Sequence, residues 1–189
     1  TSYSVYPIKV ALDPGVPNNA GCLAPIRIVA APGSVLDCRP PAPTWGRSIV
    51  AHSLPELVFG ALAQAVPERT VSACGSTPLT LMTFAGTRAS GERFLAVASH
   101  IGGFGGSDMQ DGAACLPFPN NTAAIPIEIV ETETCLVYER KELAADSGGP
   151  GRRRGGLGEN VALRVADGAH APAGHVTASI RGWNPAPDY

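Results

Sequence analysis

The chain has 189 residues, enough for one domain with its own core, and 44% are hydrophobic against 16% charged, which excludes an intrinsically disordered chain. The formal net charge of −2 argues against a nucleic-acid binder, because such proteins are basic overall. No apolar run approaches the ~18–20 residues of a membrane span, so neither nucleic acid nor a membrane is an expected partner.

The N-terminal part is predicted to hold short strands between irregular loops. Residues 2–9 form a first strand that Pro7 interrupts, because proline has no backbone N–H to donate. The alternative for the stretch before Leu12 is a helix that Pro7 interrupts. Residues 25–30 form a second strand, with Ile26 and Ile28 on one face. Proline, glycine and asparagine mark the loops at residues 13–21 and 39–43, since these residues favour turns.

One amphipathic helix is predicted at residues 53–66. Ser53 and Glu56 have the spacing of a capping box, and Pro55 falls in the first turn, where its missing N–H costs nothing. Apolar residues then recur at helical spacing, which predicts a single buried stripe; they are Leu54, Leu57, Val58, Ala61, Leu62 and Ala65. We assign this helix to packing rather than to chemistry.

The remaining elements are predicted strands with alternating apolar residues. They cover residues 79–85, 93–101, 134–143, 160–166 and 175–181, and the first two form a hairpin. Alternation of this kind is typical of antiparallel sheets with one wet face. The predicted fold is therefore α+β, mostly antiparallel sheet with long Gly/Pro-rich loops, in a single domain over residues 1–189.

The loop at residues 102–121 is unusually long for a compact domain, and such loops are often functional. His100 precedes it, with Asp108 and Asp111 nearby. This combination suits proton transfer or a metal ion, but the spacing fits no closed metal site. We predict His100 and Asp111 as catalytic residues and assign no metal to this chain.

Paired amides occur in two loops, at Asn18 and Asn19 and at Asn120 and Asn121. An amide side chain both donates and accepts, so these residues are candidates to bind a polar substrate. Asx turns explain them equally well.

The glycines at residues 102–106 allow two interpretations. A glycine loop brings backbone N–H groups close to a phosphate, but no Gly-Lys-Ser/Thr and no helix pattern follows this one. The alternative is that glycine permits close backbone approach or a positive φ.

Three successive arginines, Arg152, Arg153 and Arg154, lie between glycines in residues 146–158. A guanidinium pairs well with a carboxylate or phosphate, so we predict an intersubunit contact. The alternative is a twisted turn with solvated arginines.

The five cysteines are far apart and match neither a disulfide framework nor a zinc ribbon; they are Cys22, Cys38, Cys74, Cys115 and Cys135. We therefore predict reduced thiols in a cytoplasmic protein. The chain begins at Thr1, which raises the separate hypothesis of an N-terminal nucleophile activated by its own amine.

Three segments, at residues 17–26, 32–42 and 146–158, together resemble the hydantoinase B/oxoprolinase family in their order and separation. The resemblance covers nearly the whole chain and corresponds to part of the C-terminal half of such a protein. Two positions depart from the family pattern, with Ser99-His100 where a glutamate is common and Leu116-Pro117 where histidines are frequent. These departures bear on which substrate is used.

The resemblance implies a subunit of an ATP-dependent complex that opens a cyclic amide of the hydantoin, 5-oxoproline or lactam type. It implies a hydantoinase-A-like ATP-binding partner and the N-terminal half of the hydantoinase-B-like subunit. ATP and a divalent metal would be bound by those partners and not by this chain, which would line the substrate site and be inactive alone. The alternatives are a subunit of an acetone- or acetophenone-type carboxylase, and a non-catalytic assembly module.

Overall fold

The computed structural model describes residues 2–44, 47–75, 80–88, 90–119 and 124–166. The elements, in chain order, are α1 (Ser2–Leu12), α2 (Ala20–Leu23), α3 (Arg47–Leu62), a 3-10 turn (Pro67–Arg69), β1 (Thr80–Thr87), β2 (Arg93–His100), α4 (Ile127–Glu133), β3 (Leu136–Leu143) and β4 (Glu159–Val165). The described strands form two antiparallel pairs, β1 with β2 and β3 with β4. The α+β prediction is confirmed.

Both sheets form where apolar residues alternate. In β2, Phe94 and Ala98 are buried while Leu95 and Val97 face outward, and the last three residues, Ala98 to His100, are all buried. In the second sheet, Leu143 at the end of β3 pairs with Glu159 at the start of β4. α4 contacts both β2 and β3. The strand predicted at residues 175–181 lies outside the described residues.

The predicted helix exists, but its bounds and buried face were wrong. α3 runs from Arg47 to Leu62, with Pro55 in its interior rather than its first turn. Its buried side chains include His52 and Phe59, whereas Leu57 is 68% exposed. The reason is α1, which packs against α3 and brings the Tyr3 ring within 5.6 Å of the His52 ring.

The strands predicted at residues 2–9 and 25–30 are also wrong. Residues 2–9 belong to α1, which includes Pro7. Proline removes one helical hydrogen bond, but Pro7 is fully buried, so packing offsets that loss. Residues 26–30 have no regular secondary structure, and both Ile28 and Val29 are exposed. Without a neighbouring strand, alternation alone does not form a sheet.

The loop after β2 is held by backbone contacts with two other segments. Gly156 N–H donates to Phe104 O at 2.8 Å, and Gly112 N–H donates to Arg154 O at 2.8 Å. A Cβ at Gly103 would overlap the carbonyl oxygen of Gly156, and one at Gly105 would overlap that of Ser72. These glycines are therefore required for close backbone approach, the second of the two interpretations of the loop.

Phe118 connects this loop to the helices. Its ring lies 5.5 Å from Phe104, 6.0 Å from Phe59 in α3 and 6.5 Å from Tyr6 in α1, measured between centroids. The aromatic contacts fix the far end of the loop against the helical layer. Within the described ranges, no helix is both long and apolar enough to cross a lipid bilayer.

Candidate functional site

The most distinctive polar feature is a buried pair between His100, the last residue of β2, and Glu159, the first residue of β4. Nδ1 of His100 lies 3.2 Å from Oε1 of Glu159, and each side chain is only 9% exposed. The same Oε1 accepts the backbone N–H of Ile101 at 2.8 Å. One carboxylate oxygen therefore joins the end of one sheet to the start of the other.

The surroundings keep Glu159 ionised. Burial, the largest single influence, raises the pKa of Glu159, but hydrogen bonds from His100 and the Ile101 N–H, with electrostatic attraction from His100 and Lys141, outweigh it and lower the pKa below its ordinary value. A carboxylate held ionised by its partners is a hydrogen-bond acceptor only. Glu159 therefore accepts the hydrogens of both neighbours.

Other titratable side chains lie near the pair. The edge of the Tyr138 ring faces the His100 ring at 6.2 Å, and burial, followed by repulsion from Glu159 and Glu131, raises the pKa of Tyr138. Burial, followed by repulsion from Glu159, also raises the pKa of Cys115. Both groups are therefore neutral at physiological pH, and neither is an activated nucleophile.

The other ring nitrogen of His100, Nε2, is buried and has no hydrogen-bond partner among the described residues. Almost all buried polar atoms in proteins are paired, because an unpaired one costs ~1–3 kcal/mol. An unpaired nitrogen on a well-oriented ring is a site where a proton can be accepted.

Asp111, the second predicted catalytic residue, has a structural contact. Its Oδ1 accepts the backbone N–H of Arg154 at 3.1 Å. It lies in an exposed part of the loop, with its carboxylate turned to the arginine run. The described contacts join Asp111 to the predicted interface residues and not to His100.

The three arginines contact aspartates of their own chain. Arg152 forms an ion pair with Asp108, Arg153 Nε donates to Asp108 O at 3.4 Å, and Arg154 pairs with Asp146 at 3.3 Å. The pairs are exposed to solvent. The prediction of an intersubunit contact stays a prediction, and these internal pairs compete with it.

Asn18 and Asn19 lie in a different place from His100. They line a cleft of about 300 Å³ with one side of α1, including Tyr6 and Lys9. The Asn19 side chain accepts the N–H of Gly21 at 2.8 Å and caps α2, so the Asx-turn interpretation describes Asn19. Asn121 and Thr1 lie outside the described residues.

Sequence analysis missed Glu159. It is 59 residues from His100, directly after the glycine-rich run, and no local motif marks it. The one sequence signal is the predicted strand at residues 160–166, which begins next to Glu159, because the end of a strand can lie beside residues that are far away along the chain. The sequence does not indicate that this strand pairs with β3.

Two backbone donors of the glycine loop are already used within the chain. Phe104 N–H donates to Ala113 O at 2.9 Å and Gly105 N–H to Cys74 Sγ at 3.3 Å, so these two are not free to bind a phosphate. Burial, with repulsion from Glu56 and despite the Gly105 hydrogen bond, raises the pKa of Cys74 to about 12. No group of three His, Cys, Asp or Glu residues in the described ranges is placed to hold a metal.

Comparisons with known proteins agree on one family. The family model described as Hydantoinase B/oxoprolinase matches residues 1–186. A Pseudomonas sp. (strain NS671) protein, named as the B-type subunit of a D-/L-hydantoinase, is 34% identical over 146 residues, which are 75% of this chain and 24% of that protein. The 5-oxoprolinase of Dictyostelium discoideum is 27% identical over 165 residues, 83% of this chain and 12% of that protein.

The fold also matches a solved structure. An ATP-dependent caprolactamase from Pseudomonas jessenii superposes with a TM-score of 0.75 and 24% identity, over 86% of this chain and 29% of that chain. This likeness concerns the fold alone. The chain spans about a quarter of the length of the hydantoinase protein that it matches.

Proposed function

The chain belongs to the hydantoinase B/oxoprolinase family, and from this premise we propose that it forms part of an ATP-dependent enzyme that opens a cyclic amide of the hydantoin, 5-oxoproline or lactam type. The observation that carries the proposal is the family match over residues 1–186. The 34% identity to the B-type protein of a D-/L-hydantoinase and the 27% identity to a 5-oxoprolinase support hydrolysis of a cyclic amide as the reaction.

We assign ATP and the divalent metal to other parts of the complex. Two loop N–H groups are paired within the chain, and no group of three His, Cys, Asp or Glu residues in the described ranges is placed to hold a metal, which supports this assignment. The expected partners are a hydantoinase-A-like ATP-binding subunit and the N-terminal half of a hydantoinase-B-like subunit. The complex is expected to work in the cytoplasm. This chain contributes side chains that bind, orient or exchange a proton with the substrate.

His100 is the proposed proton-exchanging residue, because it combines burial, a fixed ring orientation and a nitrogen left unpaired by the described residues. We keep Asp111 as a second candidate whose contact with Arg154 holds the loop. Asn18 and Asn19 line a cleft apart from His100, so Asn18 is a candidate to bind a part of the substrate away from the reacting amide, and Asn19 shapes the cleft. Asn121 stays a candidate by sequence.

The test is an activity assay on the assembled complex. The chain is combined with a hydantoinase-A-like subunit and the rest of the B-type protein, and is given ATP with hydantoin, 5-oxoproline or caprolactam. We expect ring opening that requires both ATP and this chain. Carboxylation of a ketone by bicarbonate, with no ring opening, would instead support the carboxylase alternative and refute the amide proposal.

Two alanine variants distinguish a substrate-lining chain from an assembly module. Asn18→Ala and His100→Ala are compared in complexes shown by gel filtration to be intact. A substrate-lining chain predicts a raised KM for the first variant and a lowered kcat for the second. Unchanged turnover in both would support the assembly module.

A further inference from the structure

The buried pair determines which nitrogen of His100 carries hydrogen. Because the pKa of Glu159 is lowered, its carboxylate is ionised near neutral pH and donates nothing. Nδ1 of His100, 3.2 Å from Oε1, must therefore carry the hydrogen between them. A neutral ring in this position has its lone pair on Nε2.

The Nε2 lone pair is kept at a cost. The atom is buried and unpaired within the part of the chain that the structure describes, and the ring cannot turn to satisfy it without breaking the contact with Glu159. Carboxylates that hold a histidine in one tautomer are a recurrent device for making the opposite nitrogen basic.

Other titratable groups face the pair from two elements. Tyr138 and Lys141 face it from β3, and Cys115 faces it from the loop. Lys141 Nζ donates its hydrogen bond to Ile125 O at 3.4 Å and not to Glu159. The same atom lies 5.7 Å from the centre of the Tyr138 ring. Glu131 of α4 accepts the Tyr138 N–H at 2.7 Å. Among the described residues, Glu159 alone therefore hydrogen-bonds the His100 ring.

We propose that Glu159 is the positioning residue that holds His100 in its Nδ1-protonated tautomer, so that Nε2 accepts a proton from the water that opens the amide ring. This inference rests on the proposed function. In the step, the oxygen of water forms a C–O bond to the amide carbon, the C=O π pair moves onto the carbonyl oxygen, and one O–H bond of the water breaks as its proton moves to Nε2. The C=O bond then re-forms as the C–N bond breaks with its electron pair going to the ring nitrogen, and the proton passes from Nε2 to that nitrogen, which restores the neutral histidine.

Nε2 is shielded from solvent among the described residues, so the proposed step requires that water gain access to it during turnover. The proposal therefore predicts slow modification of His100 by diethyl pyrocarbonate in the resting complex and faster modification during turnover. Equal rates in both states would contradict it.

The first test is spectroscopic and does not depend on turnover. Nitrogen-15 NMR of histidine-labelled full chain, recorded in the pH range where the His100 ring is neutral, should show that ring protonated on Nδ1 and bare on Nε2. His100→Asn identifies the signal, Glu159→Leu should lose the Nδ1 preference, and Glu131→Gln, a matched loss of a nearby carboxylate, should keep it. A ring protonated on Nε2 alone in the wild type overturns the inference.

The second test is kinetic and uses the assembled complex. His100→Asn keeps a donor for Glu159 but lacks Nε2, and should lower kcat by about 10²- to 10⁴-fold with little change in KM. Glu159→Gln keeps the acceptor but not the charge, and should lower kcat by about 10- to 100-fold. Full activity of either variant would refute the proposal that His100 acts as a base positioned by Glu159. A complex that hydrolyses no cyclic amide refutes the proposed function, while the tautomer result still stands.

Discussion

Two contacts join the same pair of chain segments, residues 100–113 and 146–159, and they differ mainly in burial. At the inner end, His100 and Glu159 are each 9% exposed. At the outer end, Arg152 and Asp108 form an ion pair whose side chains are 78% and 45% exposed. Water competes for the outer contact and not for the inner one, so the two contacts have unequal consequences. Between them lie the glycines, where backbone touches backbone.

Of the three contacts between the two segments, the one at the glycines should be the most sensitive to substitution. Gly103→Ala places a Cβ on the carbonyl oxygen of Gly156, and backbone cannot move aside as a flexible side chain can. We expect a loss of more than about 4 kcal/mol, which lowers Tm by roughly 8 to 16 °C or prevents folding. Thermal unfolding followed by circular dichroism measures the change.

The control is Gly149→Ala in the neighbouring segment, where an added Cβ meets nothing within 4 Å. It should melt within about 2 °C of the wild type, since surface changes are usually small. If the two variants melt together, close backbone approach at Gly103 is not what holds the segments.

The inner pair comes second. Glu159→Leu leaves both the Nδ1 hydrogen of His100 and the N–H of Ile101 without an acceptor, and each buried polar group left unpaired costs about 1–3 kcal/mol. Urea unfolding at neutral pH measures this loss. The double variant with His100→Leu should cost less than the sum of the two single changes, because only the Ile101 N–H is then left unpaired. Simple additivity would show that the pair is not coupled.

Acid should remove the contribution of Glu159 at the inner end. The folded-state pKa of Glu159 is below its ordinary value of 4.5, so its contribution to stability is complete above that value and is lost as the pH falls through the lower, folded pKa. The urea midpoint of the wild type should therefore fall more steeply below pH 4.5 than that of Glu159→Gln. Parallel curves would show that Glu159 titrates alike in the folded and unfolded chains.

The distance along the chain between contacting residues explains which parts of the fold and of the site could be predicted from the sequence. The β1–β2 hairpin followed from alternation between neighbouring strands, which is a local pattern. α1 was missed because Pro7 was interpreted as a break, whereas burial against α3 outweighs the lost hydrogen bond. His100 was found through its position before the glycines, but Glu159 was not, because 59 residues of chain separate them. Contacts that depend on sheet pairing leave no signature in local spacing.

The outer pair should be the least sensitive. Arg152→Ala removes the ion pair with Asp108, and exposed pairs contribute ~0–1 kcal/mol because water and salt screen them. We expect the Tm of the free chain to change by less than about 3 °C. A larger loss would mean that this surface pair holds the two segments together.

The same variant separates the two interpretations of the arginines. If Arg152 serves as an intersubunit contact, Arg152→Ala should weaken binding to the rest of the complex although the free chain stays stable, as measured by analytical ultracentrifugation at low and high salt. Asp108→Ala is the matched control, because it breaks the internal pair but frees the guanidinium for a partner. Binding should therefore be kept or strengthened in Asp108→Ala and weakened in Arg152→Ala. If both variants bind the rest of the complex as the wild type does, the intersubunit contact of Arg152 is refuted and its internal pair with Asp108 remains.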